Sequence, residues 1–333
     1  MTGDPGVGLV LGSAIRPEDI QDSAATAEAS GFDEIWLAED FFFTGGISGA
    51  SLVLGATSDI TVGLGVVSAV ARHPALLAME LSTLSRVHEE RLIAGVGLGV
   101  PAWVRQMGLH PRSPLAALRE CVTSVQALLR GDTLDTHGEV FDFNNVTLTY
   151  PETGTPTPVR MGVSGPKMLE LSGEVADGSV LSVAAGIDYV NWARERIAEG
   201  RTKAGRSDEH PVTVFALYAV DDDGDAARDS ARETLAFYRQ NGPNGLTDVY
   251  GISEELSASS TRAVTTPWSM ACRPNGWRIS PFQEHPRSVR PRSPPFTPLE
   301  RTRWRCFPSP PTGSATSSAS PQTLCCQTCK ALP

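Results

Sequence analysis

Four stretches of this chain hold residues whose types and spacing could do chemistry. In the first, Asp40 is followed by Phe41, Phe42 and Phe43. An acid beside aromatics at the end of a strand can hydrogen-bond a ring-shaped ligand or polarise a substrate. It can equally cap a loop whose phenylalanines simply pack. The three phenylalanines are too apolar for a free loop, so they line a pocket or meet a partner subunit. The second stretch is Gly65-Val66-Val67-Ser68, where Gly65 permits a bulge or a close backbone approach to a flat ligand. The third, Gly95-Val96-Gly97-Leu98-Gly99, lets backbone N–H groups approach an anionic or ring ligand, or lets the strand pack tightly on a helix. The fourth is Ser164-Gly165-Pro166-Lys167-Met168, which joins a strand to a helix. Exposed N–H groups at a helix start bind phosphate, and Ser164 and Lys167 add a hydroxyl and a positive charge. Ser182 ends the next strand and offers another hydroxyl. His73, in Arg72-His73-Pro74, can line the same mouth, and Phe41, Phe43 and Trp103 can shape an apolar substrate pocket.

Other chemistries lack their signatures. The histidines are His73, His88, His110, His137, His210 and His285, and none pairs with another at i, i+4. HExxH and GxSxG are both absent, so neither zinc hydrolysis nor an acyl-enzyme has support. The run from Cys325 to Cys329 has no nearby histidine and no second pair at finger spacing, so no metal site is expected.

The elements that must position these residues alternate. Apolar strands are expected at 7–11, 33–39, 60–67, 91–97, 159–163, 179–183 and 212–220. Helices are expected at 17–30, 49–57, 74–87, 115–129, 166–175, 189–200 and 226–240, with Gly131 as a left-handed stop. Between 133 and 150 the pattern turns to β-type alternation, an inserted hairpin with turn residues at His137-Gly138 and Asn144-Asn145. Seven strands in frame, with an eighth expected only in a shifted frame of the tail, make eight strand-helix units and point to an α/β fold, a (β/α)8 TIM barrel, whose chemistry sits at the C-terminal strand ends. A doubly wound sheet would want a glycine-rich phosphate loop after the first strand, and Gly12-Ser13-Ala14-Ile15 is none.

The composition breaks near Leu256. Residues 1–256 carry 18 Lys and Arg against 36 Asp and Glu, while the remaining 77 carry 10 against 2 and hold five of the six cysteines. The expected division is therefore a barrel domain, 1–256, and an aberrant, disordered tail, 257–333. The tail reads as frameshifted. Back-translated with permitted codons and read from the third base, it yields an Ala-rich helix and then an apolar strand, AVAVFPV, which would be the missing eighth strand. Without it the first and seventh strands would lie unpaired and the chain would fold poorly. The acidic body argues against nucleic acid. No basic leader precedes an apolar run, and no run approaches the roughly 20 residues that span a bilayer. A cytoplasmic protein with no membrane partner is expected.

Taken together, GFDEIWLAED, VGLGVVSAVARHPALLAMELSTLSRVHEERLIAGVGLG, HGEVFDF and MGVSGPKMLELSGEVADGSVL resemble the bacterial-luciferase-like superfamily of flavin- and deazaflavin-dependent oxidoreductases. GPKMLELSGEVADG and EDFFFTGG are most similar to the branch that uses the deazaflavin coenzyme F-420 and includes methylenetetrahydromethanopterin reductase. The resemblance implies hydride transfer between that cofactor and a small organic substrate. It places Asp40 near the deazaflavin, Gly65-Val66 as a bulge with a non-prolyl cis peptide behind the ring, and Leu98-Gly99 against the cofactor. Ser164, Gly165, Lys167, Met168 and Ser182 would hold its phosphate side. Homodimers are common in the family. An FMN-dependent monooxygenase and a cofactor-free binding barrel are the alternatives. Relatives that oxidise glucose 6-phosphate carry His after the aspartate and Glu after the glycine run. Here those places hold Phe41 and Val100, and the phosphate-reaching lysine is replaced near Ala185.

Overall fold

The computed structural model describes residues 6–183, 185–239, 245–255 and 323–329. Its main sheet uses β1 (Val7–Leu11), β2 (Glu34–Leu37), β3 (Thr61–Leu64), β4 (Val67–Ser68) and β5 (Leu92–Gly97). A hairpin, β6 (Leu134–His137) and β7 (Asp142–Val146), interrupts it. The sheet resumes with β8 (Val159–Gly162), β9 (Gly178–Leu181), β10 (Val212–Tyr218) and β11 (Thr323–Cys329). The connecting helices are α1 (Ile20–Ala29), α2 (Gly46–Ala56), α3 (Pro74–Val87), α4 (Pro101–Gln106), α5 (Pro114–Leu129), α6 (Pro166–Val175), α7 (Ile187–Lys203), α8 (Gly224–Arg239) and α9 (Gly245–Asp248).

Strands β1, β2, β3, β5, β8, β9 and β10 run parallel in that spatial order, and β3 also pairs with β5. The expected barrel is therefore present. Its two outer strands are not left bare. β11 lies antiparallel between β1 and β10, with Val10 opposite Leu324 and Val212 opposite Cys329. The expectation of unpaired first and seventh strands is thus corrected, because backbone pairing needs no sequence match and a short extended segment satisfies both edges. The rest of the tail expected to be frameshifted, 257–322 and 330–333, lies outside the described residues.

Local chemistry sets the element ends. Pro occupies the first turn of α3, α5 and α6, where its missing N–H costs nothing. Gly31 and Gly131 follow α1 and α5 with φ of 81° and 88°, the left-handed stop that only glycine adopts freely. Every residue of β5 is buried, as parallel strands covered on both faces require. Ile35, Leu37, Val62, Leu64, Met161 and Leu181 pack outward against Leu77, Leu81, Leu118, Val122, Val125 and Leu169 of the helices. Val10, Trp36, Ile93, Val180 and Phe215 form a separate interior cluster, with Val66 and Val183 against it.

Two expected boundaries move. The strand expected at 60–67 breaks after Leu64, where the Gly65–Val66 peptide is cis, and resumes as β4. The Asn144-Asn145 turn is instead part of β7, with Asn145 at φ 54°, and the hairpin turns where Gly138 N–H donates to Phe141 O at 3.0 Å. Glu120 of α5 organises that tip, since its carboxylate accepts the N–H groups of Glu139, Val140 and Phe141.

Candidate functional site

The parallel strands all end at one side of the barrel, and the sequence-derived candidates sit on those ends. Asp40 follows β2. It is half-buried, and its Oδ2 accepts the hydroxyl of Ser13, just past β1, at 2.6 Å. Burial raises the Asp40 carboxyl above the ordinary aspartate value, and the Ser13 hydrogen bond opposes part of that rise. Such a carboxyl keeps its proton to a higher pH than a solvated one.

The residues after Asp40 form a turn, closed by Phe43 N–H donating to Asp40 O at 3.2 Å. Phe41 is buried, next to where a Cβ on Gly99 would stand, 3.6 Å from its ring. Phe43 meets the ring of Trp103, on α4, with centroids 6.4 Å apart. Phe42 lies between them at φ 73° and is 63% exposed. Ser68 ends β4 and donates its hydroxyl to Leu98 O at 3.0 Å. Gly99 takes a φ of 81°, open to a non-glycine residue only at a cost. The aromatic turn, β4, Leu98-Gly99 and Trp103 are therefore brought to one patch of rim.

The cis bulge has a built seat. A Cβ on Gly97 would stand 2.6 Å from Val66 Cγ2, and one on Gly162 would stand 2.7 Å from Val66 Cγ1. A Cβ on Gly95 would stand 2.0 Å from Leu64 O. The glycines of β5 and β8 thus make room for the bulge between them.

Across the rim, Ser164 and Gly165 follow β8. Gly165 is the N-cap of α6 and makes no side-chain capping bond, and a Cβ on it would meet nothing within 4 Å. Gly165 therefore faces open space at the start of α6, where Pro166 has no N–H and Met168 N–H donates to Gly165 O at 3.1 Å. Lys167 is exposed on its first turn, and Met168 packs against the core. Ser164 O accepts the hydroxyl of Tyr189, from α7, at 2.7 Å. Burial pushes the Tyr189 phenol well above the ordinary tyrosine value, so it stays a donor. Ser182, half-buried, ends β9.

His73 is differently occupied. Its Nδ1 accepts Ala75 N–H as the cap of α3, and Nε2 lies 3.2 Å from Asp142 O. Its ring packs edge-on against Phe141 and Phe143 of the hairpin. Both nitrogens serve the scaffold here.

Sequence reasoning missed Ser13, Tyr189, and the pair of Glu39 and Arg72. Glu39 Oε1 lies 3.0 Å from Arg72 Nη2, and its Oε2 accepts Gly46 N–H. The signals were present as two adjacent acids before the aromatic run and as the arginine of Arg72-His73-Pro74.

No described helix is long and apolar enough to cross a membrane. The chain is 31% identical to 5,10-methylenetetrahydromethanopterin reductase of Archaeoglobus fulgidus over 230 residues, 69% of this chain and 68% of that one. It is 30% identical to an F-420-dependent glucose-6-phosphate dehydrogenase of Nakamurella multipartita, with 65% and 68% covered. The coenzyme F-420-dependent tetrahydromethanopterin reductase structure from Methanopyrus kandleri superposes with a TM-score of 0.70 at 26% identity, covering 79% of this chain and 80% of that chain. A family model for luciferase-like monooxygenases matches residues 3–268, and with the barrel and its strand ends in that same stretch, the chain belongs to the luciferase-like monooxygenase family.

Proposed function

We propose that this protein is an oxidoreductase that uses coenzyme F-420 to move hydride to or from a small organic substrate. The observation that carries the reading is the two-sided rim: a half-buried carboxyl with an aromatic turn on one side, an open helix start with exposed Lys167 on the other, and a seated Val66 bulge between them. The relatives support the choice of cofactor, since similar proteins that act on a pterin and on a sugar phosphate both depend on F-420.

The residues present fit such a group. The start of α6, with Gly165 open and Lys167 exposed, suits the anionic tail of the cofactor. Ser164 and Ser182 would add hydroxyl donors. Val66 offers an apolar surface behind a flat ring, and Leu98-Gly99 borders it. When bound, the deazaflavin would supply two-electron hydride chemistry, which no side chain here can. Ser13 fixes Asp40 through Oδ2, so Asp40 would exchange its proton at Oδ1, toward the substrate. Phe41, Phe43 and Trp103 would exclude water from that side. Phe41 and Val100, beside Asp40 and Gly99, supply neither an imidazole nor a carboxylate at those two positions. A sugar phosphate that needs an acid-base pair is therefore not the substrate expected.

Titrating purified protein with F-420 and with FMN, followed by fluorescence quenching, tests the reading. Saturable F-420 binding that is tighter than FMN supports it. Tight FMN binding alone would make the protein a flavin monooxygenase of the same fold, and binding of neither would make it a cofactor-free barrel.

A further inference from the structure

We infer that Glu39 and Arg72 are positioning residues: their ion pair braces the turn Asp40–Phe43 so that it presents its acid to the rim. The inference rests on the reading of that rim as a redox site.

Glu39 is the most enclosed acid near the mouth. Its side chain is 7% exposed, and that of Arg72 is 23% exposed. One carboxylate joins three pieces of chain. It continues from β2, accepts the first N–H of α2 from Gly46 at 3.0 Å, and binds the guanidinium that follows β4. The space is made for it, since a Cβ on Gly46 would stand 2.9 Å from Glu39 Oε2 and 3.3 Å from Val67 Cγ1. Arg72 also reaches toward Glu80 of α3, at 3.7 Å. Its neighbour His73 caps α3 and holds the hairpin. The brace therefore ties the start of the aromatic turn to α2, α3 and β4.

The turn needs such a tie. Phe42 is a bulky residue in the left-handed region, a conformation that persists only where the surroundings over-determine it. Phe41 and Phe43 anchor its middle and end in apolar contacts. Its beginning, at Asp40, is held by the Ser13 hydroxyl, by Phe43 N–H on its carbonyl and by the brace one residue before it. A buried carboxylate paired with arginine and a backbone N–H has little freedom, because losing either partner strands a charge in a poorly solvated place. Nothing in hydride transfer calls for this pair to touch a substrate, so its role runs through Asp40.

The test uses the full chain with Glu39→Gln, Arg72→Met and the double variant. Two readouts are taken. The first is the carboxyl titration of Asp40 in the cofactor-free protein, by 13C NMR of labelled aspartate assigned with Asp40→Asn. The second is steady-state turnover with F-420 and the substrate found by screening small ketones and imines. Glu39→Gln should bring the Asp40 titration down toward an ordinary aspartate as the turn opens to water. It should also lower kcat about 10²-fold, the scale of a misplaced reacting group, while F-420 affinity, set across the rim, stays within about threefold. Adding Phe42→Gly, which removes the backbone cost of the turn, should restore part of the Asp40 titration. If Glu39→Gln does not fold, the double variant, which leaves no lone buried charge, carries the same measurements. A folded variant with the wild-type Asp40 titration overturns the brace. That readout needs no cofactor, so failure of F-420 to bind would overturn the redox reading and leave the brace to be judged on the NMR alone.

Discussion

The two ends of the barrel handle polar groups in opposite ways. At the end where the strands begin, polar side chains mostly answer one another inside the protein, although His210 Nδ1 is buried with no hydrogen-bond partner among the described residues. Arg160 of β8, 7% exposed, donates to Thr213 Oγ1 of β10, and its guanidinium lies 5.9 Å from the Trp36 ring centre. Trp36 Nε1–H donates to Glu34 at 2.7 Å. His210, just before β10, shares a hydrogen bond with Ser179, which shares one with Ser172. At the end where the strands stop, Asp40 has one hydroxyl partner, Gly165 faces open space and Lys167 stands in solvent. Buried polar groups that are matched within the fold stabilise it. Groups held part-buried with unused bonding capacity are where a ligand adds something. The contrast marks which end does chemistry.

The sharpest way to break that contrast is acid. Burial, chiefly, together with the nearby Arg201 and Arg206 charges, pushes the His210 imidazole down to about 4. The unfolded chain therefore binds the proton more readily than the folded one between the ordinary histidine value and about 4. The stabilisation is complete at neutral pH and drains away as pH falls through that window, by about 3 kcal/mol at most. Denaturant melts of wild type and His210→Gln at pH 7 and pH 4.5 should differ in their pH dependence by a large part of that amount. Parallel curves for the two proteins would refute the claim that this end is a stability device.

A mouth substitution should do the reverse. Asp40→Asn removes a carboxyl whose charged form burial disfavours, so the melting temperature at pH 7 should hold or rise. Turnover with F-420 should fall about 10²-fold, the usual scale for losing a positioned acid or base. A melt lowered by several degrees would place Asp40 with the structural groups instead. The smallest effect is expected at the far rim. Lys167→Ala should weaken F-420 binding by about threefold, and the deficit should shrink as salt is raised, because an exposed charge is screened. A salt-independent loss would mean that Lys167 acts by packing.

Much of the scaffold was legible because local chemistry forces it. The ends of α3 and α6 coincide with expectation, since each has proline in its first turn and a clear apolar period. α4 was missed, a six-residue helix with no room for a period to declare itself. The break after Leu64 was legible locally only as a bulge that Gly65 permits; its cis peptide came through resemblance, because nothing local in Gly65-Val66 sets the peptide's isomer. His73 looked like a mouth residue beside Arg72. Its occupation by Ala75 and the hairpin depends on a strand 69 residues away in the chain.

The sequence alone determined the alternation of strand and helix, the acidic body, the basic tail and the residues that close each strand, because these follow from periodicity, proline, glycine and charge along a short window. The tertiary structure decided the rest. It set which glycines yield space to Val66, which acid is braced and which is left available, which histidine is spent on a cap, and that β11 closes the barrel antiparallel. Apart from the local His73 cap, those outcomes depend on steric and hydrogen-bond partners far apart in the chain, and closure of the barrel brings such partners within reach.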